Sequence, residues 1–187
     1  LGLVLGSMAA FPRPVEAVDA PSFVSFSPVR YLDTRAGLTT FDGEAQGRGA
    51  LVPNQVLSVP VAGRGGIPAD AAGVALNVTA TNSREGAYVT LFPCGAPVPV
   101  ASTVNFGAGA TVANGAAVRP GVDGLICAFS PVGVDVVIDV TGYWPSGRGF
   151  AGLRPARLMD TRAGHRTIDG LFAATGAMTD TTLQVLG

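Results

Sequence analysis

The sequence is poor in charge, in aromatic rings and in the residues that carry acid–base or metal chemistry. Charged side chains make up 13% of the 187 residues, and 12 basic residues stand against 13 acidic ones for a net charge of -1. A chain with no excess of positive charge lacks what a phosphate backbone needs, which argues against a nucleic-acid partner. No basic amphipathic run is present to lie on a membrane surface. There is one histidine, His165, no Gly-x-Ser-x-Gly elbow, and no pair of carboxylates in a recognisable acid–base context. The reading is therefore non-catalytic, with no catalytic residue assigned and no cofactor. With two cysteines and one histidine, a sulfur-based metal site lacks its remaining ligands, and no metal is expected.

What the chain does contain is 48% apolar residues, 26 glycines and 14 prolines, enough to build a buried core out of short elements joined by many turns. It also repeats itself. The stretch from Pro28 to Gly43, PVRYLDTRAGLTTFDG, returns from Pro155 to Gly170 as PARLMDTRAGHRTIDG, and ten of the sixteen positions are identical. Arg30, Asp33 and Arg35 recur as Arg157, Asp160 and Arg162 at a constant offset of 127. An internal repeat sets the domain frame before any other signal. Residues 22–146 are read as one complete unit, and 150–187 as the start of a truncated second one. Residues 1–20, a short apolar run followed by Val15-Glu16-Ala17 and Val18-Asp19-Ala20, read as the remnant of a secretory signal peptide, too short to span a bilayer.

An exported chain with an even cysteine count is expected to form a disulfide between Cys94 and Cys127. Closing that loop stabilises by roughly 3–4 kcal/mol. Alternating apolar and polar residues predict strands over 22–26, 56–61, 73–81, 87–92, 102–106, 116–118, 124–130 and 134–143. In 73–81, Val74, Leu76 and Val78 share one face, and in 134–143 Val134, Val136, Ile138 and Val140 do so. Pro60 places its strand at an edge or a bulge, residues 82–86 read as a hairpin-like turn, and the glycine-rich 62–68 connection lacks the ending of a phosphate loop. Short strands at this spacing predict an all-β fold, a β-sandwich of jelly-roll or Ig-like type.

The ordered series VRYLDTRAG, GRGGIPADAAGVALNVTATN, GAYVTLFPCG, STVNF and GLICAFSPVGVDVVIDVTGYW resembles the secreted RLLDTR-type repeat domains of actinobacterial surface and exported proteins. That resemblance covers the complete unit and, through ARLMDTRAG, the start of the second. It implies a secreted or cell-surface β-rich module that occurs in tandem and beside exported hydrolases. It carries no catalytic set.

Two readings of the repeated Arg-x-x-Asp-Thr-Arg compete. Its two guanidinium forks and carboxylate suit a ligand such as a sugar or a carboxylated polymer. The structural reading, which is favoured, has Asp33 bridging Arg30 and Arg35, bonding turn amides and locking the junction between units. Tyr88, Tyr143 and Trp144 are the candidate sugar-stacking rings, with Trp144 favoured as packing at the junction with the following unit. Asp42, Asp135, Asp139 and Asp169 are read as solvent-facing carboxylates rather than calcium ligands, since no dense DxDxDG loop is present. Asn77 begins a glycosylation sequon on a strand, where it is incidental. The functional expectation is a non-catalytic tandem module for spacing, anchoring or adhesion at the cell surface. The alternative is a carbohydrate- or cell-wall-binding module accessory to a hydrolase. The expected partners are neighbouring repeat units, with cell-wall polysaccharide or self-association as the alternatives, and no membrane span. Residues 150–162 are expected to dock on the first unit through Arg157, Asp160 and Arg162, and 165–187 to be poorly ordered, with an orphan strand over 182–186.

Overall fold

The computed structural model describes residues 21–153, 156–162, 164, 165, 167, 168 and 170. Residues 1–20, expected to be a signal-peptide remnant, most of residues 165–187 with the strand expected over 182–186, and Asp169 lie outside the described residues. The regular secondary structure is nearly all strand: β1 (Val24–Asp33), β2 (Val56–Pro60), β3 (Gly73–Thr81), β4 (Ala87–Pro93), β5 (Val104–Phe106), β6 (Val112–Val118), β7 (Leu125–Phe129) and β8 (Asp135–Trp144), with one 3-10 turn at Val122–Gly124. Two four-stranded antiparallel sheets form, in the orders β1-β8-β3-β6 and β2-β7-β4-β5. The pairs β1·β8, β2·β7, β3·β6 and β4·β5 nest inside one another, as if one long hairpin had been rolled up. This is jelly-roll order, and it replaces the Ig-like alternative.

Period two builds the core. Val74, Leu76, Val78 and Ala80 of β3 face inward with Val136, Ile138 and Val140 of β8, and all are buried. Withdrawing each larger aliphatic side chain from water is worth roughly 1.5–3 kcal/mol. The alternation inverts near the end of β8. Leu76 pairs with Val140 but Ala75 pairs with Gly142, so Thr141 is an extra residue, and its hydroxyl donates to the Ala75 carbonyl. Beyond a bulge the faces exchange. Tyr143 consequently packs against the core, while Trp144 stands with Phe23 and Phe150.

Two local expectations are corrected. Residues 82–86 do not close a hairpin, because β3 already pairs with β8 and β6 on its two edges and β4 belongs to the other sheet. The segment is a crossing between sheets, in which Asn82 takes φ 58 and its side-chain amide donates to Asp135. Strand β6 begins at Val112 rather than at 116: Asn114-Gly115, a turn by composition, sits exposed in an edge strand. Pro60 ends β2, which is an edge strand. Cys94 and Cys127 are disulfide-bonded with Cα atoms 5.0 Å apart. The bridge joins the end of β4 to β7 in a small apolar cluster of its own with Phe92, Ala96, Leu125 and Phe129. Among the described residues no helix is long and apolar enough to cross a membrane.

Candidate functional site

The repeated motif of the first unit runs off the end of β1 and lies against β8. Asp33, the last residue of β1, is fully buried. A buried carboxylate costs several kcal/mol in lost hydration unless donors replace the water, and here four do. Arg35 gives Nε at 2.9 Å and Nη2 at 2.7 Å in a two-pronged grip, its backbone N–H bonds at 3.1 Å, and Arg30 Nη1 bonds at 3.0 Å. Arg30 sits opposite Asp139 in the β1·β8 register and also donates to it through Nε at 2.9 Å and Nη2 at 3.2 Å. The result is a chain of alternating charges, Arg35, Asp33, Arg30, Asp139. Burial opposes ionisation of Asp33, but the Arg35 hydrogen bonds and the two arginine charges outweigh it and hold the carboxyl below its ordinary value. The Asp139 hydrogen bond raises Arg30, and the Asp33 hydrogen bond raises Arg35. Thr34, also fully buried, continues the seam. Its hydroxyl donates to Asp135 at 2.7 Å and accepts the Val136 N–H at 2.9 Å.

A second cluster was not foreseen from the sequence. Arg64, in the Gly63-Arg64-Gly65-Gly66 connection, is 9% exposed. Its Nε donates to Asp42 at 2.7 Å, Nη1 donates to the Tyr31 and Pro60 carbonyls, and Nη2 donates to Asp42 and to the Glu44 carbonyl. Tyr31 and Phe41 present their rings to the guanidinium at 4.9 and 5.0 Å, a cation–π arrangement. Burial pushes the Tyr31 phenol up, and its hydroxyl donates back to the Arg64 carbonyl at 2.9 Å. The Arg64 hydrogen bond holds Asp42 down at about 2. Glycine must follow the arginine: a β-carbon on Gly65 would stand 2.2 Å from the Tyr31 hydroxyl. The signal available beforehand was a lone arginine among glycines and the Thr-x-Asp-Gly tail of the motif, with nothing to connect them.

In the second copy the short-range geometry recurs. Asp160 takes Arg162 N–H and Nε at 3.0 Å and Nη2 at 2.7 Å, Arg157 Nη1 lies 3.1 Å away, and His165 stands 3.8 Å off. The Arg162 hydrogen bond, ahead of burial, sets the Asp160 carboxyl well below its usual range and raises Arg162. The Ile168 N–H bonds the Arg157 carbonyl as the Phe41 N–H bonds that of Arg30. Of the three charged residues expected to dock this segment, Arg157 reaches the first unit, through the Val100 carbonyl at 3.2 Å, while Asp160 and Arg162 are engaged with one another. Phe150 and Gly152 also lie against the first unit. Phe150 stacks on Trp144 at 4.4 Å and 15°, and Gly152 lies on the Arg119 side chain.

The remaining expected site residues are scattered. Tyr88 is partly exposed on β4, 6.5 Å from Phe129; Tyr143 packs inward; Trp144 is taken by Phe150 and by Phe23, 4.8 Å away. The three rings share no platform, since Tyr88 lies in one sheet and the other two in the opposite one. Asp42, Asp135 and Asp139 are not free solvent-facing carboxylates but hold Arg64, Thr34 with Asn82, and Arg30. Among the described residues no group of three or more His, Cys, Asp or Glu could hold a metal ion. Chemically, both clusters act as ties. They fix the loop after β1 to β8 and to the 62–68 connection. Compared with protein-family models, curated proteins and solved structures, the chain gives no match.

Proposed function

We propose that residues 22–146 are a non-catalytic extracellular module, one unit of a tandem array that spaces, anchors or adheres at a cell surface. The observation that carries this reading is the recurrence of the Asp-Thr-Arg turn, with the same hydrogen bonds, 127 residues further on. A ligand-binding motif would leave its guanidinium forks open, whereas here both copies satisfy their own carboxylate. The resemblance to RLLDTR-type repeats of exported proteins points the same way, and the disulfide suits an oxidising compartment. The carbohydrate-binding alternative needs an open aromatic face, and Tyr88, 37% exposed, is the ring that supports it. Sedimentation of the chain with purified cell-wall polymer and with a glycan panel separates the two. The spacer reading expects no saturable binding. Saturable binding lost in Tyr88→Ala would transfer the function to the alternative, and polymer hydrolysis would overturn both.

A further inference from the structure

Trp144 lies between two phenylalanines that are equivalent under the repeat. Phe23 precedes β1 of the first unit, and Phe150 occupies the matching place at the same offset of 127. Phe23 is in place because β1 runs antiparallel to β8, with Val24 opposite Tyr143. The two rings lie over glycines. A β-carbon on Gly142 would stand 2.5 Å from the Phe23 ring, and one on Gly73 2.3 Å from that of Phe150. Trp144 is thus held by the leading phenylalanine of its own unit and by that of the next. The next matched pair behaves differently. Phe26 packs against the core of the first unit, while its counterpart Leu153 is 86% exposed.

Leu153, Arg119 and Pro93 line two adjoining hollows of about 350 and 270 Å³, the larger walled also by Pro120, Val122 and Cys94 of the disulfide. Val122 in the wall of the larger hollow is 60% exposed, and Val100, whose carbonyl takes Arg157, is 81% exposed. An exposed apolar patch of this kind marks a contact surface. The segment already seated on it belongs to the following copy of the motif: Phe150 on Trp144, Gly152 on Arg119, Arg157 on the Val100 carbonyl.

We propose that the face formed by Gly73, Trp144, Arg119 and Val122 is the docking surface for a following copy of this same fold, and that Phe150 is the key that seats it. The proposal rests on the tandem-unit reading and adds to it that the joint is aromatic and fixed in orientation. The charged motif shapes each turn, and the phenylalanine sets how one unit meets the next. With the joint closed, Leu153 enters the core of the second unit as Phe26 enters that of the first, and Val122 is covered.

Trp144 is the one tryptophan of the chain, so acrylamide quenching of its fluorescence in the 187-residue chain tests the key. The undocked fraction should rise roughly two- to twelvefold in Phe150→Ala, the range that an aromatic pair confers, and quenching should rise with it. Gly73→Ala should match Phe150→Ala, and the double variant should lose nothing further. Equal quenching in the native chain and Phe150→Ala would overturn the proposal. The partner is tested by completing the second copy, with residues 44–149 placed after Gly170, and measuring the inter-unit distance distribution by spin labels. A narrow distribution that Phe150→Ala broadens is expected, and an equally broad one in both would overturn the joint. Polymer binding by the chain would sink the spacer reading while leaving the Phe150 effect in place, so the two can fail separately.

Discussion

The two copies of the motif are the same ten residues in different company. Asp33 and Asp160 take the same bonds from the arginine two positions on and pair with the arginine three positions back. Gly37 and Gly164 turn at φ 74 and 77. Beyond that reach the copies part. Arg30 also holds Asp139, Thr34 holds Asp135, and Asp42 holds Arg64. In the second copy Arg157 turns instead to the Val100 carbonyl, and the Arg162 side chain is 61% exposed where that of Arg35 is 32%. The motif therefore makes its own turn from contacts two or three residues apart. Its attachment to a sandwich is a separate, long-range step that costs loop-closure entropy.

Breaking the framework should separate the copies most strongly. Replacing Cys94 and Cys127 by serine should lower stability by roughly 3–4 kcal/mol, read as a fall in the denaturant midpoint, with exchange at the 160–164 turn unchanged. Next comes Asp33→Asn, which strips the charge from a buried carboxylate. Because Arg30 and Arg35 are about one-third exposed, the loss is expected at about 2–3 kcal/mol, short of a fully buried pair, and visible as a melting temperature several degrees lower. Asp160→Asn should leave that temperature where it is. If both variants melt alike, the copies are not distinguished by their surroundings. Arg64→Lys keeps the charge but loses the planar fork and the ring stacking, and about 1–2 kcal/mol should go with them in chemical unfolding.

The smallest effect is in acid. Asp42 and Asp33 titrate below their unfolded value when folded, so they stabilise fully above about pH 3.8, and that contribution is lost as the pH falls through the folded values, about 2 for Asp42. Melting temperature should therefore decline between pH 4 and 2, and the slope should be shallower in Asp42→Asn. A slope unchanged by that substitution would detach the Arg64 cluster from acid stability.

Legibility in the sequence followed the range of the interaction. Strands β3 and β8 were visible because one buried face imposes period two on consecutive residues, as in Val134, Val136, Ile138 and Val140. The disulfide followed from the even cysteine count together with the expectation of export. The strand pairing was not visible: residues 82–86 look like a hairpin turn, and what denies them that role is the occupation of both β3 edges by β8 and β6, strands far along the chain. Arg64 escaped for the same reason, since nothing local ties it to Asp42. The Thr141 bulge shifts one register, and that shift alone decides that Trp144 rather than Tyr143 meets Phe150. The candidate site was half legible: the three charged residues were found, and the ring that joins the segments was placed at the junction without its two partners.

The pairing of β1 with β8 also has a mechanical side. Because these strands are antiparallel, with Val24 opposite Tyr143, the chain enters and leaves the unit at one end. Tension applied to the chain on either side of residues 22–146 would not shear the ladder as a block. It would peel the two strands apart from that end, one hydrogen-bonded pair after another, which yields at low force. The stack of Phe23, Trp144 and Phe150 sits where peeling must begin, and so acts as the catch on a zip. Once it opens, the disulfide, which ties off 33 residues, limits the run: at full extension a unit would lengthen to roughly 300 Å rather than about 400 Å.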